Sequence, residues 1–278
     1  MATAIFPHTS HYFQFRQHEI HFLKFGNGNE KLIALHGYGD SAELFLNVAE
    51  VLEKKYSIYA LDLPFHGKTN WNESDFFTPN DLAELIETLC EAEKIKYFSL
   101  MGYSMGGKIA LALVPYFAKQ MNSFLLIAAS GLKMPFFYSL VENAPIWLVK
   151  KSEIWVEEPK NLFQILKTAR KLKLISPFVH RFTRKLTNSP ARRKRLFNIW
   201  LILRHFNHKI NIPEIQRFLN RFGVKTFLFF GKKDDIAPPS AAQHFAKKLD
   251  KCSLYMINAN HNIFHQDLND NLQKALYE

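Results

Sequence analysis

Two hydrophobic patterns take turns along this chain. Short unbroken apolar runs stand at Lys31 to Leu35, Tyr56 to Leu61, Tyr97 to Met101, Phe124 to Ala128, Lys225 to Phe230 and Ser253 to Ile257. Runs of that length and character predict strands buried on both faces. Between them, apolar residues recur every three or four positions. Ser41 opens one such helix, with Leu44, Phe45, Val48 and Leu52 on one face. Thr78-Pro79 opens another, a capping hydroxyl ahead of a first-turn proline, with Leu82, Leu85, Ile86 and Leu89 aligned. Further helices are predicted at Met105 to Lys119, Pro239 to Leu249 and Ile263 to Tyr277. Ahead of them all, Tyr12 to Arg16 and Glu19 to Phe25 read as paired edge strands closed by Gly26-Asn27-Gly28-Asn29. Strand alternating with helix implies an α/β fold, a mostly parallel central sheet with helices on both faces.

The alternation stops at Leu132 and resumes near Gly223. In between lie amphipathic helix-like runs, with Phe163-Ile165-Leu166, Leu196-Phe197-Trp200-Leu201-Leu203 and Ile215-Phe218-Leu219 as the clearest stripes. The expected organisation is therefore a core made of residues 1–131 and 223–278, interrupted by an inserted helical lid over 132–222. Charge marks the same boundary. Leu132 to Arg221 holds 19 Lys and Arg against 5 Asp and Glu, a balance of +14, whereas the rest of the 278-residue chain carries −3. The plain reading of that excess is a solvated face. The sharper one is attraction of an anionic acyl carrier, such as a phosphopantetheine or nucleotide portion, or of an acidic membrane surface. Nucleic acid fits poorly, because the lid aromatics fall at helical core spacing and form no stacking platform.

Composition narrows the setting. No apolar run reaches transmembrane length, and Met1 to His11 lacks the pattern of a secretory leader. Cys90 and Cys252, each inside an apolar-patterned element, read as two buried free thiols, which together with the missing leader suggests a cytoplasmic location. No Cys and His spacing suggests a metal, and no cofactor is expected.

The chemistry concentrates at strand ends. Tyr97 to Met101 runs into Gly102-Tyr103-Ser104-Met105-Gly106 and then a helix. A serine at a strand-to-helix corner sits in a strained conformation, and side chains two residues away on either side would meet the crossing backbone. Gly102 and Gly106 remove those side chains and leave the Ser104 hydroxyl exposed. A plainer reading is a glycine-rich connection with Ser104 capping the helix. What tips the balance is the company. A serine hydroxyl needs an imidazole to take its proton, and the imidazole needs a carboxylate to hold its tautomer. The strand Thr226 to Phe230 leads into Gly231-Lys232-Lys233-Asp234-Asp235, and the last strand into Asn258-Ala259-Asn260-His261. In a parallel sheet all strand C-termini share one edge, so Ser104, Asp234 and His261 are expected to converge there.

These motifs, with His36-Gly37 after one strand and Asp62-Leu63-Pro64-Phe65-His66-Gly67 after the next, resemble the α/β-hydrolase-fold superfamily, in its lidded serine esterase type. The resemblance covers the core through five motifs in order and does not extend to the lid. It implies catalytic Ser104, Asp234 and His261, with Asp234 rather than Asp235 chosen by spacing from Gly231. It also implies an oxyanion hole built from the backbone N–H groups of Tyr38 and Met105. His265 is expected one turn into the last helix as a packed or solvated residue, and His36 and His66 in structural roles. Asn260 stands where the family usually has glycine, and its tolerance of left-handed backbone suits that position. The implied function is a serine hydrolase cleaving carboxylic esters or thioesters of small acyl substrates, the lid's Phe and Trp residues roofing an apolar acyl pocket. Dehalogenases and epoxide hydrolases of this fold carry Asp where Ser104 stands. A thioesterase drawn to its carrier by the basic lid, and a non-catalytic ligand-binding protein on the same fold, remain open alternatives.

Overall fold

The computed structural model describes residues 6–72, 77–133, 157–207 and 210–278. Residues 134–156 of the expected lid, including the Phe and Trp residues of that stretch, lie outside the described residues. In chain order the elements are β1 (Thr9–Phe15), β2 (His18–Phe25), β3 (Glu30–Leu35), a 3-10 helix (Ala42–Val48) continuing into α1 (Ala49–Leu52), and β4 (Tyr56–Leu61). Then follow α2 (Pro79–Ala92), β5 (Phe98–Tyr103), α3 (Met105–Phe117) and β6 (Met121–Ile127). Next are α4 (Lys160–Lys171), α5 (Pro177–Leu186), α6 (Pro190–Asn207) and α7 (Ile212–Arg221). The chain finishes with β7 (Lys225–Gly231), α8 (Pro239–Ala246), β8 (Cys252–Ile257) and α9 (Gln266–Tyr277).

The eight strands form one sheet in the order β1-β2-β4-β3-β5-β6-β7-β8. β1, β2 and β4 pair antiparallel, and every other neighbouring pair is parallel. Only β1 of the first two strands is an edge; β2 lies between β1 and β4. The unbroken apolar runs have a simple cause. Ile33 and Leu35 pack on one face with α2 and α3, while Leu32 and Ala34 pack on the other with α1 and α9. Alternating side chains thus meet a helical layer on either side.

Helix starts follow the expected chemistry at α2. The Thr78 hydroxyl accepts from the Asp81 N–H while the Asp81 carboxylate accepts from the Thr78 N–H, a capping box closed by Pro79 in the first turn. The last helix starts later than its apolar pattern suggests. It begins at Gln266, and His265 is its exposed, extended N-cap residue rather than a residue one turn in.

Within the described part of the lid region, only helices occur. Ile199, Ile202 and Phe206 of α6 and Ile215 and Leu219 of α7 join the cluster built on α3, so this half shares the core of the sheet. The stripe read as Leu196-Phe197-Trp200-Leu201-Leu203 is half-buried, and the deep positions are its neighbours. Around α4 and α5 a separate small cluster forms from Leu166, Ala169, Ile175 and Val179, packed against Ile236. Ile165 points outward instead of joining the stripe. Cys90 and Cys252 are unbonded and half-buried rather than buried, with burial pushing the thiols up to about 12 and about 11. No helix among the described residues is long and apolar enough to cross a membrane.

Candidate active site

Ser104 sits between the end of β5 and the start of α3 with φ 50° and ψ −112°. A non-glycine residue there carries strain of about 1–3 kcal/mol, so its surroundings must hold it. They do. Its N–H donates to the Ile127 carbonyl at 3.0 Å. Its carbonyl accepts from the N–H groups of Gly107, Lys108 and Ser130 and from the Ser130 hydroxyl. The glycines act as the sequence argument requires. A Cβ on Gly106 would stand 2.0 Å from the Leu35 carbonyl oxygen, and one on Gly102 would stand 2.5 Å from the Gly106 carbonyl oxygen. Ser104 does not cap α3; its side chain makes no cap hydrogen bond.

The hydroxyl donates instead to His261 Nε2 at 2.8 Å, and His261 Nδ1 donates to Asp234 Oδ2 at 2.8 Å. Those two bonds demand one tautomer, the proton on Nδ1 and the lone pair on Nε2 facing Ser104. Asp234 is buried, and its Oδ1 accepts from the Ile236 and Ala237 N–H groups. Asp235 is exposed on the same loop. The structure therefore brings Ser104, His261 and Asp234 into one hydrogen-bonded row, while Asp235 and His265 stay outside it. Asn260 is not in the left-handed region, so that explanation for its place falls away. Its side-chain oxygen instead accepts from the Asn262 N–H at 2.9 Å, closing a small turn beside His261.

Met105 follows Ser104 directly, and Tyr38 lies on the loop after β3. Met105 heads α3, so its N–H has no acceptor in a preceding helical turn. The close pass of the Leu35 and His36 carbonyls over Gly106 sets the β3 loop against the start of that helix. The Tyr38 N–H meets no acceptor among the described residues. His36 fixes this loop. Its Nδ1 donates to the Gly37 carbonyl at 2.7 Å and its Nε2 accepts from the Leu63 N–H at 3.1 Å. Burial lowers its pKa to about 4, so it stays neutral near pH 7. His66 is buried beside it, donates to the Pro64 carbonyl, and has its pKa pushed down to about 3, chiefly by burial and then by His36. Its Nε2 finds no partner among the described residues.

Two contributors escaped the sequence reading. The Tyr103 hydroxyl donates to the His261 carbonyl at 3.1 Å and its ring stacks on the imidazole at 5.7 Å. Asp40, half-buried near the same loop, has its pKa raised by burial and pulled back by the charges of His261 and Lys185. Tyr103 had a signal, since it is the variable residue inside the Gly-x-Ser-x-Gly pattern. Asp40 had none. No cluster of three or more metal-ligating side chains occurs among the described residues.

Comparison with known proteins bears on the family and the fold. The family model described as alpha/beta hydrolase fold matches residues 31–268. Monoacylglycerol lipase ABHD6 of Homo sapiens is 23% identical, the match covering 84% of this chain and 70% of that one. The pimeloyl-[acyl-carrier protein] methyl ester esterase of Legionella pneumophila is 26% identical over 79% of this chain and 81% of its own. Among solved structures, an esterase from Exiguobacterium antarcticum superposes with a TM-score of 0.63 at 18% identity, covering 96% of this chain and 98% of that one.

Proposed function

The chain belongs to the alpha/beta hydrolase fold family, and from that premise we propose a serine hydrolase that cleaves carboxylic esters or thioesters through an acyl-enzyme on Ser104. The observation that carries this reading is the unbroken row from the Ser104 hydroxyl through His261 to Asp234, set at a corner of left-handed backbone. Ser104 Oγ attacks the acyl carbon as its proton passes to His261 Nε2. Asp234 orients the imidazole and stabilises the imidazolium. Charge develops on the former carbonyl oxygen, and the N–H groups of Tyr38 and Met105 receive it; each such donor is worth roughly 3 kcal/mol of barrier. The imidazolium then protonates the leaving alkoxide or thiolate. Water, deprotonated by the same histidine, attacks the acyl-enzyme and regenerates Ser104.

The same reading divides the chain into a core of residues 1–131 and 223–278 that carries the chemistry and a lid of 132–222 that covers it. The relatives' esters, a monoacylglycerol and a carrier-bound methyl ester, support a fairly apolar acyl group as substrate. The test is turnover of nitrophenyl esters from acetate to decanoate. Wild-type protein should hydrolyse at least part of the series, with Ser104→Ala and His261→Ala each losing at least about a thousandfold in kcat/KM. Turnover by Ser104→Ala at the wild-type rate would remove the acyl-enzyme from consideration.

A further inference from the structure

We propose that the lid's outer edge, at the end of α4, docks onto the surface of an anionic phospholipid bilayer. Three observations carry this. The first is charge. Between Glu158 and Glu214 the chain holds fourteen Lys and Arg and no Asp or Glu. A solvated helical face ordinarily mixes signs so that neighbours one turn apart can pair. Here no such pairing is available within the segment.

The second is exposure. Leu172 and Leu174 are 62% and 61% exposed, the two most exposed large apolar side chains among the described residues. Ile165, two turns back from Leu172 on the same face of α4, is 44% exposed. Lys167, Lys171 and Lys173 stand within a few residues of them along the chain and are themselves exposed.

The third is the turn that presents the leucines. The Leu174 N–H donates to the Ala169 carbonyl at 2.9 Å and the Lys173 N–H to the Arg170 carbonyl at 3.2 Å, with Lys173 at φ 57°. This is the double closure that usually has glycine at the left-handed position and folds the next apolar residue back onto the helix. In this chain a lysine occupies the strained position and Leu174 faces water. Both departures disfavour the free protein, and both make sense at a membrane. Leucines at a convex tip enter the interfacial layer while the neighbouring ammonium groups meet lipid phosphates. Lys167 to Ile175 contains no aromatic residue, so the tip offers nothing for bases to stack on.

The inner side of the same helices rests on Ile236, two residues beyond Asp234, through Leu166, Ala169, Ile175 and Val179. A lid docked by its outer edge would hold the candidate site beside the bilayer. Resting on the ester-hydrolase reading, this deepens it: the acyl substrates are esters of membrane lipids.

The experiment is sedimentation of the full chain with vesicles of phosphatidylcholine, with or without about 30% phosphatidylglycerol, at low and high salt. Wild-type protein should bind the anionic vesicles, release them at high salt and ignore the neutral ones. Leu172→Ser/Leu174→Ser and, separately, Lys167→Glu/Lys171→Glu/Lys173→Glu should each weaken binding by at least about tenfold. Both variants should hydrolyse a short soluble ester at the wild-type rate. No binding to anionic vesicles, or equal binding by the double-serine variant, would overturn the proposal. So would capture by an acidic carrier protein in place of the vesicles. Failure of docking leaves Ser104-dependent turnover of soluble esters intact, whereas failure of the acyl-enzyme reading shows as no turnover, or as undiminished turnover by Ser104→Ala, with vesicle binding in place, so the two are distinguishable.

Discussion

Two Ser-His-Asp rows occur among the described residues, and they stand in different surroundings. In the second, the Ser10 hydroxyl lies 2.6 Å from His21 Nε2, and His21 Nδ1 lies 2.7 Å from Asp62 Oδ2. Residue types, order of contact and distances match the row at Ser104. The surroundings do not. Ser10 is exposed in the regular extended backbone of β1, with no helix starting behind it and no left-handed φ. Its row works as a tie. Asp62 accepts from His21 on β2, from the Ala42 N–H through Oδ1 and from the Lys68 N–H through Oδ2. Burial alone would raise the Asp62 pKa, but these three donors together bring it below the usual carboxylate value. Asp62 thereby pins the far end of the segment that His36 pins at its near end, and Tyr38 lies between. On the proposed reading one row acts on a substrate, whereas the other ties the segment that runs from His36 to Ala42. On that reading a hydrogen-bonded relay is not by itself enough to make a nucleophile. The positive-φ corner at Ser104, with a helix starting behind it, is what separates the two.

Breaking the comparison at its serines should give the largest contrast. Ser104→Ala should lower ester turnover by about 10⁴-fold or more, while Ser10→Ala should change it less than about twofold. Comparable losses from the two variants, measured as kcat/KM, would mean the rows had been assigned the wrong way round. The carboxylates should separate in a different currency. Asp62→Ala strips a buried imidazole and two N–H groups of their acceptor and should cost on the order of 3 kcal/mol of stability. Asp234→Asn keeps an oxygen for the Ile236 and Ala237 N–H groups. It should leave the melting temperature within a few degrees and reduce turnover by about 10³–10⁴-fold. Denaturation and kinetics on the same two proteins decide this; a fully active, destabilised Asp234→Asn would reverse it.

Acid should loosen the frame before it touches the Asp62 tie. His36 and His66 are held neutral when folded, with pKa about 4 and about 3, against 6.5 for the ordinary side chain. The unfolded chain therefore takes up protons that the folded chain refuses once the pH falls below 6.5. The contribution of these two histidines is complete above that value and should decline as pH drops towards 4, with His36 alone accounting for roughly 3 kcal/mol of the loss. Asp62, whose pKa is lowered, contributes to a later decline, below its ordinary 3.8. A melting temperature that stays level from neutral pH down to about pH 4.5 would contradict this. The smallest effect should come from Tyr103→Phe. Losing its bond to the His261 carbonyl should lower kcat several-fold, at about 1 kcal/mol, with KM little changed. A change in KM alone would give Tyr103 a role in binding instead.

Much of the first row was legible in the chain, and almost none of the second. Gly102 and Gly106 announce the corner because only glycine can fit a backbone crossing that close, a constraint local enough to leave a five-residue pattern. Asp234 and His261 follow from strand counting, since each apolar run delivers the residue after it to the same sheet edge. His21 on β2 and Asp62 just past the end of the neighbouring antiparallel β4 are 41 residues apart, and nothing in periodicity links them. Antiparallel register decides which side chains meet there, and β2 lying inside the sheet rather than at its edge was not visible from its aromatic alternation. Ile263 and His265 mislead for a related reason. An apolar residue that packs onto the sheet from an extended segment looks, in sequence, like the first turn of the helix that follows. The exposed Ile165, Leu172 and Leu174 fit a helical pattern equally well whether they face a core, water or a membrane.

The contrast between the rows is tested most directly by reaction with a fluorophosphonate followed by intact mass and peptide mapping. One adduct per chain, on Ser104 and absent from Ser104→Ala and His261→Ala, is the expected result. An adduct on Ser10, or none on either serine in folded protein, would contradict it.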